Sequence, residues 1–173
     1  MNSGAIRFMP ESKAAYDNLP VRYPGLTSED LETFLKGKWI AYLATVDKDG
    51  TPHVKPIWYI WENNQISMIT WLKCKSTSNL ENNKKVAITI QQGGEPVTGF
   101  PTMGCLVHGT AELIPEIKNE IKEDSWHFKI FSRYLGKEAC YQSPLKEHLS
   151  ESCLAMCVKP DKIISWDYTK PPR

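Results

Sequence analysis

Hydrophobic and polar positions are most clearly patterned between residues 38 and 91. Four runs of β-favouring residues are separated by short polar connections: Trp39–Val46, residues 53–61, Ile66–Trp71 and Val86–Ile90. The connections at 47–50 and 62–65 contain Asp, Asn and Gly, which tolerate the dihedral angles of hairpin turns. The first three runs therefore predict an antiparallel meander. Trp39–Val46 is almost continuously apolar, which predicts a strand buried on both faces.

Pro56 interrupts the alternation of side chains in residues 53–61. Proline has no N–H to donate to a strand ladder, so it is expected at a sheet edge or a bulge. Backbone groups left unpaired beside it are available to a ligand with hydrogen-bonding edges.

Helices are predicted on both sides of this region. Thr27 is placed as an N-cap before an apolar stripe that ends at Gly37, which predicts a short amphipathic helix. Ser76–Asn83 predicts about two helical turns after the basic loop at 73–75. Apolar residues recur at helical spacing from Glu116 to Leu135, which predicts one or two helices covering the sheet.

The remaining strands are predicted near the C-terminus. Met103–Ile114 alternates as a fifth strand, and Pro115 is expected to end it. The Gly- and Pro-rich segment 92–101 is either a flexible connector or a loop that gates a ligand. A short helical piece is expected at 144–149, and the closing strands are expected at Cys153–Val158 and Lys162–Asp167.

Length and charge limit the possible functions. At 173 residues and 19.7 kDa, the chain suits an N-terminal arm over 1–26 and one domain over 27–173. With 21 basic and 20 acidic side chains, it lacks a charge excess that would recruit nucleic acid or an anionic membrane. Five cysteines without regular spacing fit a reducing cytoplasm, and no apolar run approaches the roughly 20 residues of a membrane span. We therefore expect a cytoplasmic protein whose partners are small molecules or a second copy of itself.

The loop between the third strand and the next helix carries the candidate chemistry. Lys73 and Lys75 lie beside Ser76 at a predicted helix start, and hydroxyls, backbone N–H groups and cations together can hold a phosphate. The alternative is a solvated loop whose lysines only maintain solubility. By contrast, the four histidines occupy different elements with no two at a metal-ligand spacing, so no metal site is predicted.

Several segments together resemble the pyridoxamine 5′-phosphate oxidase-like family of FMN-binding split barrels. Residues 43–59, Leu-Ala-Thr-Val-Asp-Lys-Asp-Gly-Thr-Pro-His-Val-Lys-Pro-Ile-Trp-Tyr, are similar to the family's first hairpin. The resemblance continues in order through Thr70, Lys75, Asn79-Leu80, Lys85-Val86-Ala87 and the closing segment 158–168. It covers about residues 27–113 and 151–169, and the order and spacing of the segments are more specific than any one motif.

The resemblance implies a fold and a cofactor site. The implied fold is mainly β: a six-stranded antiparallel Greek-key split barrel with peripheral helices, which forms a homodimer with FMN in two clefts between subunits. The implied cofactor contacts are Lys55, Pro56, Ile57, Trp58, Thr70, Trp71, Lys73, Lys75, Ser76 and Trp166. The family's phosphate-binding Ser-Arg-Lys falls on residues 74–76, where Lys75 keeps the charge of arginine but not its bidentate fork.

Departures from the family pattern restrict the expected reaction. The chain ends Trp166-Asp167-Tyr168-Thr169-Lys170-Pro171-Pro172-Arg173, without the Arg-Leu-His-Asp-Arg substrate segment of true pyridoxamine phosphate oxidases. The resemblance therefore predicts an FMN-dependent oxidoreductase, a reductase of an unidentified small substrate with NAD(P)H as a possible electron donor. Three alternatives stay open: an F420-dependent reductase, a non-catalytic flavin-binding protein and a haem-binding protein, for which His127 is a candidate ligand.

Overall fold

The computed structural model describes residues 23–92, 103–116 and 121–171. Within these ranges the strands are β1 (Ala41–Val46), β2 (Pro52–Ile57), β3 (Tyr59–Glu62), β4 (Gln65–Thr70), β5 (Lys85–Gln91), β6 (Met103–Glu116) and β7 (Cys153–Asp167). The helices are α1 (Ser28–Leu35), α2 (Lys75–Asn82), α3 (Trp126–Leu135) and α4 (Leu145–Ser150), with a 3-10 turn at Glu138–Tyr141. No helix in these ranges is long and apolar enough to cross a bilayer.

All seven strands form one antiparallel sheet with the order β2-β1-β5-β6-β7-β4-β3. Strands β2 and β3 lie at opposite edges of this sheet although only Trp58 separates them in the chain. The sheet must therefore curl until its edges approach each other, as in a split barrel. This confirms the predicted mainly β, antiparallel split barrel with peripheral helices. It has seven strands rather than six because the run 53–61 changes pairing partner at Trp58, from β1 to β4.

The predicted boundaries were wrong in the second half of the chain. β6 continues through Pro115 to Glu116, where Pro115 is paired with Leu154. Proline is tolerated there because the register of β5 with β6 ends at Thr110, so this part of β6 is ladder-paired only with β7. The two closing strands are one strand, β7, and its pairing with β6 shifts register at His108/Gly109. Helix α3 begins ten residues later than predicted, with Ser125 as its N-cap.

The main core fills the inside of the curled sheet. Its buried side chains come from β1 and from β3 to β7, α2 adds Leu80, and α1 adds Leu31, Phe34 and Leu35. The Thr27 side chain caps α1 by accepting a hydrogen bond from the Asp30 N–H at 3.1 Å, as the sequence predicted. Helix α1 therefore covers one side of the barrel core.

Helix α3 forms a second layer against β3 and β4. The Tyr134 ring stacks on Trp58, with centroids 4.8 Å apart and planes at 5°. The Tyr134 hydroxyl donates to the Trp39 carbonyl at 2.6 Å and accepts from the Tyr59 N–H at 3.4 Å. These contacts fix the helix over the point where β2 passes into β3.

The predicted arm over 1–26 lies mostly outside the described residues. Its last part runs beside the end of β7, where the Asp167 N–H donates to the Pro24 carbonyl at 2.9 Å and the Leu26 N–H donates to Ser165 Oγ at 2.9 Å. The segment 92–101, apart from Gln92, also lies outside the described residues.

Candidate functional site

Thr70 is the centre of a compact group of hydroxyl and thiol side chains. It is the last residue of β4, and only 1% of its surface is exposed. Thr70 Oγ1 lies 3.0 Å from Cys74 Sγ, 3.4 Å from Ser76 Oγ and 3.4 Å from Thr77 Oγ1. We call these four residues the hydroxyl cluster. A threonine hydroxyl donates one hydrogen bond and accepts up to two, so Thr70 Oγ1 can pair with all three of these neighbours.

The hydroxyl cluster lies at the N-terminus of helix α2. Cys74 is the N-cap residue with extended backbone, and Ser76 and Thr77 lie in the first turn. The Thr77 hydroxyl donates to the Trp71 carbonyl at 2.8 Å, which ties this turn to the end of β4. The first N–H groups of a helix have no acceptor within the helix and carry partial positive charge. This end of α2 is therefore suited to an anionic group.

The cluster also changes the acidity of Cys74. Burial raises the pKa of this thiol, but hydrogen bonds from Ser76, Thr70 and Thr77 outweigh burial and lower the pKa from 9.0 to about 6. Its Sγ lies 3.2 Å from Ser76 Oγ and 3.1 Å from Thr77 Oγ1. The same groups that stabilise a thiolate can stabilise the oxygens of a bound phosphate.

Two lysines extend toward this region from different elements. Lys55 Nζ, on β2, lies 3.4 Å from Thr70 Oγ1, on β4. This contact joins the first strand of the sheet to the sixth. Lys75, the first residue of α2, forms an ion pair with Asp47 in the β1–β2 turn. The hydrogen bond from Lys75 lowers the pKa of the Asp47 carboxyl, and the Lys48 N–H lowers it further. Lys73 is exposed and makes no ion pair or hydrogen bond within the described part of the chain.

Residues 55–57 lie on the edge strand β2, where the sequence predicted Pro56, and Trp58 directly follows this strand. β2 is the first strand of the sheet, and Pro56 lies exposed on it, paired with Tyr42 of β1. Lys55 and Ile57 point to the less exposed side of β2, and Ile57 packs against the main core. Trp58 is covered by Tyr134 and by Phe131, whose ring centroid is 5.3 Å away.

The two other aromatic residues expected at the cofactor lie in different places. Trp71, directly after β4, contacts His127 and His148 edge-on at centroid distances of 5.8 and 4.8 Å. Trp166 is near the far end of β7, opposite Gly104, whose missing side chain makes room for the indole. Thr70 pairs with Leu154 of β7, and Trp166 lies 12 residues beyond Leu154 on the same strand. Within one chain, β7 therefore places Trp166 far along the strand from the hydroxyl cluster.

Sequence reasoning missed Thr77 and underrated Cys74. Thr77 belongs to the cluster because it lies seven residues after Thr70 and three after Cys74, at the helical spacing that follows an N-cap. That spacing was readable in the sequence once the helix start was placed at Cys74. His127, suggested as a haem ligand, is fully buried, so its ring is not accessible to a haem iron in this conformation.

Comparison with known proteins identifies the family. Residues 27–167 match the sequence family described as pyridoxamine 5′-phosphate oxidase. The chain belongs to this family. A search of curated proteins found no match.

Solved structures show the same fold as this pyridoxamine 5′-phosphate oxidase family member. A conserved hypothetical protein from Mycobacterium tuberculosis has a TM-score of 0.63 and 21% identity, over 83% of this chain and 86% of that one. An F420 reductase has a TM-score of 0.59 and 22% identity, over 77% and 94%. A FAD-binding protein from Mesorhizobium loti has a TM-score of 0.58 and 15% identity, over 84% and 96%.

The residues present fit the phosphate end of a flavin nucleotide. Lys55 and Lys75 add positive charge beside the N-terminus of α2, whose first N–H groups have no acceptor within the helix. The hydroxyl cluster lies beneath this helix start, where Ser76 and Thr77 are only 1% and 4% exposed. The fit differs from the family pattern at Cys74, because its thiol occupies the position of a serine hydroxyl. A thiol is a weaker donor, and as a thiolate it would repel a phosphate.

Proposed function

We propose that this protein is an FMN-dependent oxidoreductase whose two subunits share the cofactor. The observation that carries the proposal is the hydroxyl cluster at the start of α2 with Lys55 reaching Thr70 from the opposite sheet edge. A phosphate placed there would meet the first N–H groups of the helix and two lysines. Bound FMN would supply hydride and electron transfer, while the protein positions it and the substrate.

The chain's own groups have defined tasks in this proposal. Lys55, Lys75 and the first N–H groups of α2 would hold the phosphate. The buried hydroxyls of Thr70, Ser76 and Thr77 would keep the start of this helix in place. The backbone of the edge strand around Pro56 would meet the polar edge of the ring system. The sequence identifies no general base beside the β1–β2 hairpin, so we assign no proton-transfer residue.

The proposed dimer is supported by an exposed apolar surface on β1 and β2. Tyr42 is 42% exposed, so the prediction that its strand is buried on both faces was wrong within one chain. Val54 is 59% exposed. The register pairs Tyr42 with Pro56 and Ala44 with Val54, so these side chains are neighbours on one face. Contiguous exposed apolar surface often marks an interface between proteins. Ile57 and Trp58, by contrast, pack within the chain itself.

The cofactor proposal is tested on the purified protein. We expect a yellow protein whose bound molecule has the mass of FMN, or a colourless protein that takes up added FMN with quenching of flavin fluorescence. Addition of NADH or NADPH without oxygen should bleach the flavin absorbance. Uptake of F420 in place of FMN, or of haem alone, would contradict the assignment of FMN.

The dimer is tested by sedimentation. The wild-type protein should sediment as a dimer of about 40 kDa, twice the 19.7 kDa chain. Tyr42→Asp should shift the protein toward the monomer, whereas Lys159→Asp, on an exposed part of β7, should not. A wild-type monomer at micromolar concentration would contradict the proposal of a shared cofactor.

A further inference from the structure

A small pocket lies where β2 passes into β3, on the side covered by α3 and α4. Its volume is about 160 Å³. Ile57, Trp58, Ile69 and Trp71 line it from the sheet, and Phe131 and His148 line it from the helices. We call it the aromatic pocket. Ile69 directly precedes Thr70 on β4, so its side chain points to the opposite face of this strand from the Thr70 hydroxyl.

The walls of the aromatic pocket are held by ring contacts. Trp58 is fixed between Phe131 and Tyr134, at centroid distances of 5.3 and 4.8 Å. His148 lies 4.8 Å from Trp71 and 5.4 Å from Phe131, measured between ring centroids. Aromatic pairs at these separations are favourable and restrict the rotation of both rings. The pocket is therefore formed before a ligand arrives.

The chemistry of the lining restricts what the pocket accepts. None of its lining residues is an acid, a lysine or an arginine, so nothing there offsets the desolvation of a charged ligand. An apolar cavity of about 150 Å³ accepts one benzene molecule, so about 160 Å³ suits one ring and not three. His148 adds a ring nitrogen that can hydrogen-bond to a polar substituent.

We propose that the aromatic pocket binds an uncharged single-ring aromatic compound, with His148 hydrogen-bonded to its polar substituent. The proposed binding of this aromatic compound does not depend on the cofactor. The proposal that the compound is the enzyme's substrate rests on the proposed function, because Ile57, Trp58 and Trp71 are also expected to lie near the flavin.

The test uses two fluorinated probes, 4-fluorophenol and fluorobenzene, and measures their binding to the full chain by ¹⁹F NMR. We expect both probes to bind, and 4-fluorophenol to bind about three- to tenfold more tightly because of one additional hydrogen bond. His148→Phe should remove this preference while fluorobenzene still binds. His108→Phe, an exposed position on β6, is the matched control and should keep the preference.

A second variant fills the pocket without touching His148. Ile69→Trp should abolish binding of both probes, with far-UV circular dichroism verifying that the variant is folded. Absence of probe binding to the wild-type protein, or unchanged binding to folded Ile69→Trp, would overturn the proposal. An unchanged preference in His148→Phe would overturn the assigned role of His148.

Repeating the titration with saturating FMN separates the two proposals. Probe binding that persists beside bound FMN supports a substrate site next to the cofactor. Displacement of the probe by FMN would overturn the substrate role, because the flavin itself would then occupy the pocket. Probe binding by a protein that takes up no FMN would support the pocket and contradict the proposed function.

Discussion

Replacing Thr70 with valine tests whether the hydroxyl cluster is a real structural unit. Valine keeps the shape of threonine and removes only Oγ1, the atom that lies within 3.4 Å of Lys55 Nζ, Cys74 Sγ, Ser76 Oγ and Thr77 Oγ1. Four contacts do not contribute four independent energies, because one hydroxyl donates one proton. Leaving buried polar partners unsatisfied costs about 1–3 kcal/mol in the free energy of unfolding.

Urea denaturation of the cofactor-free protein measures this loss. With a slope of about 2 kcal/mol per molar urea, the midpoint should fall by about 0.5–1.5 M. The matched control is Thr89→Val on β5, a half-buried threonine whose side chain makes no hydrogen bond to any residue that the structure describes. FMN binding should weaken about tenfold in Thr70→Val and remain unchanged in the control. Equal midpoints for the two variants would refute the cluster as a source of stability.

Four further perturbations follow from named contacts. Iodoacetamide should alkylate the native protein at Cys74, because the other four cysteines are buried. The alkylation rate should rise through a midpoint near pH 6, since the pKa of Cys74 is lowered to about 6. A midpoint near pH 9 would contradict this expectation. Because the folded-state pKa is lower than the unfolded one, ionised Cys74 stabilises the fold most at high pH, and the wild-type advantage over Cys74→Ser should shrink as the pH falls from 9 to 6. Asp47→Asn should release Lys75 and tighten FMN binding about two- to fivefold at low salt, with an effect that disappears at high salt. Tyr134→Phe should lower the free energy of unfolding by about 1–3 kcal/mol, because the Trp39 carbonyl and a backbone N–H lose their partner; an unchanged urea midpoint would show that the contact is dispensable.

Local patterns predicted the strands and turns of the first hairpins well. The Asp- and Asn-containing turns, the edge position of Pro56 and the helix start near Ser76 depend on neighbouring residues in the chain. The break at Trp58 was not predictable from alternation, because it depends on which strand each half pairs with. The continuity of β7 was missed for a similar reason, since its register shift opposite His108 is set by β6.

The candidate site was predictable in its elements but not in its contacts. The sequence correctly placed Thr70 at a strand end and Lys75 at the start of the following helix, while phosphate binding there stays a prediction. The side chains that meet there depend on tertiary structure: Lys55 reaches Thr70 only because the sheet curls. The aromatic pocket likewise requires α4 to bring His148 against Trp71, a contact between residues 77 apart in sequence.

The most direct test compares the affinities of FMN and riboflavin, which differ only in the phosphate. We expect the wild-type protein to bind FMN at least about a hundredfold more tightly, since several charge-assisted hydrogen bonds to phosphate contribute about 1.5–3 kcal/mol each. The double variant Lys55→Ala/Lys75→Ala should lose most of that difference while its affinity for riboflavin stays the same. Equal affinities of the wild-type protein for FMN and riboflavin would contradict a phosphate site at the start of α2.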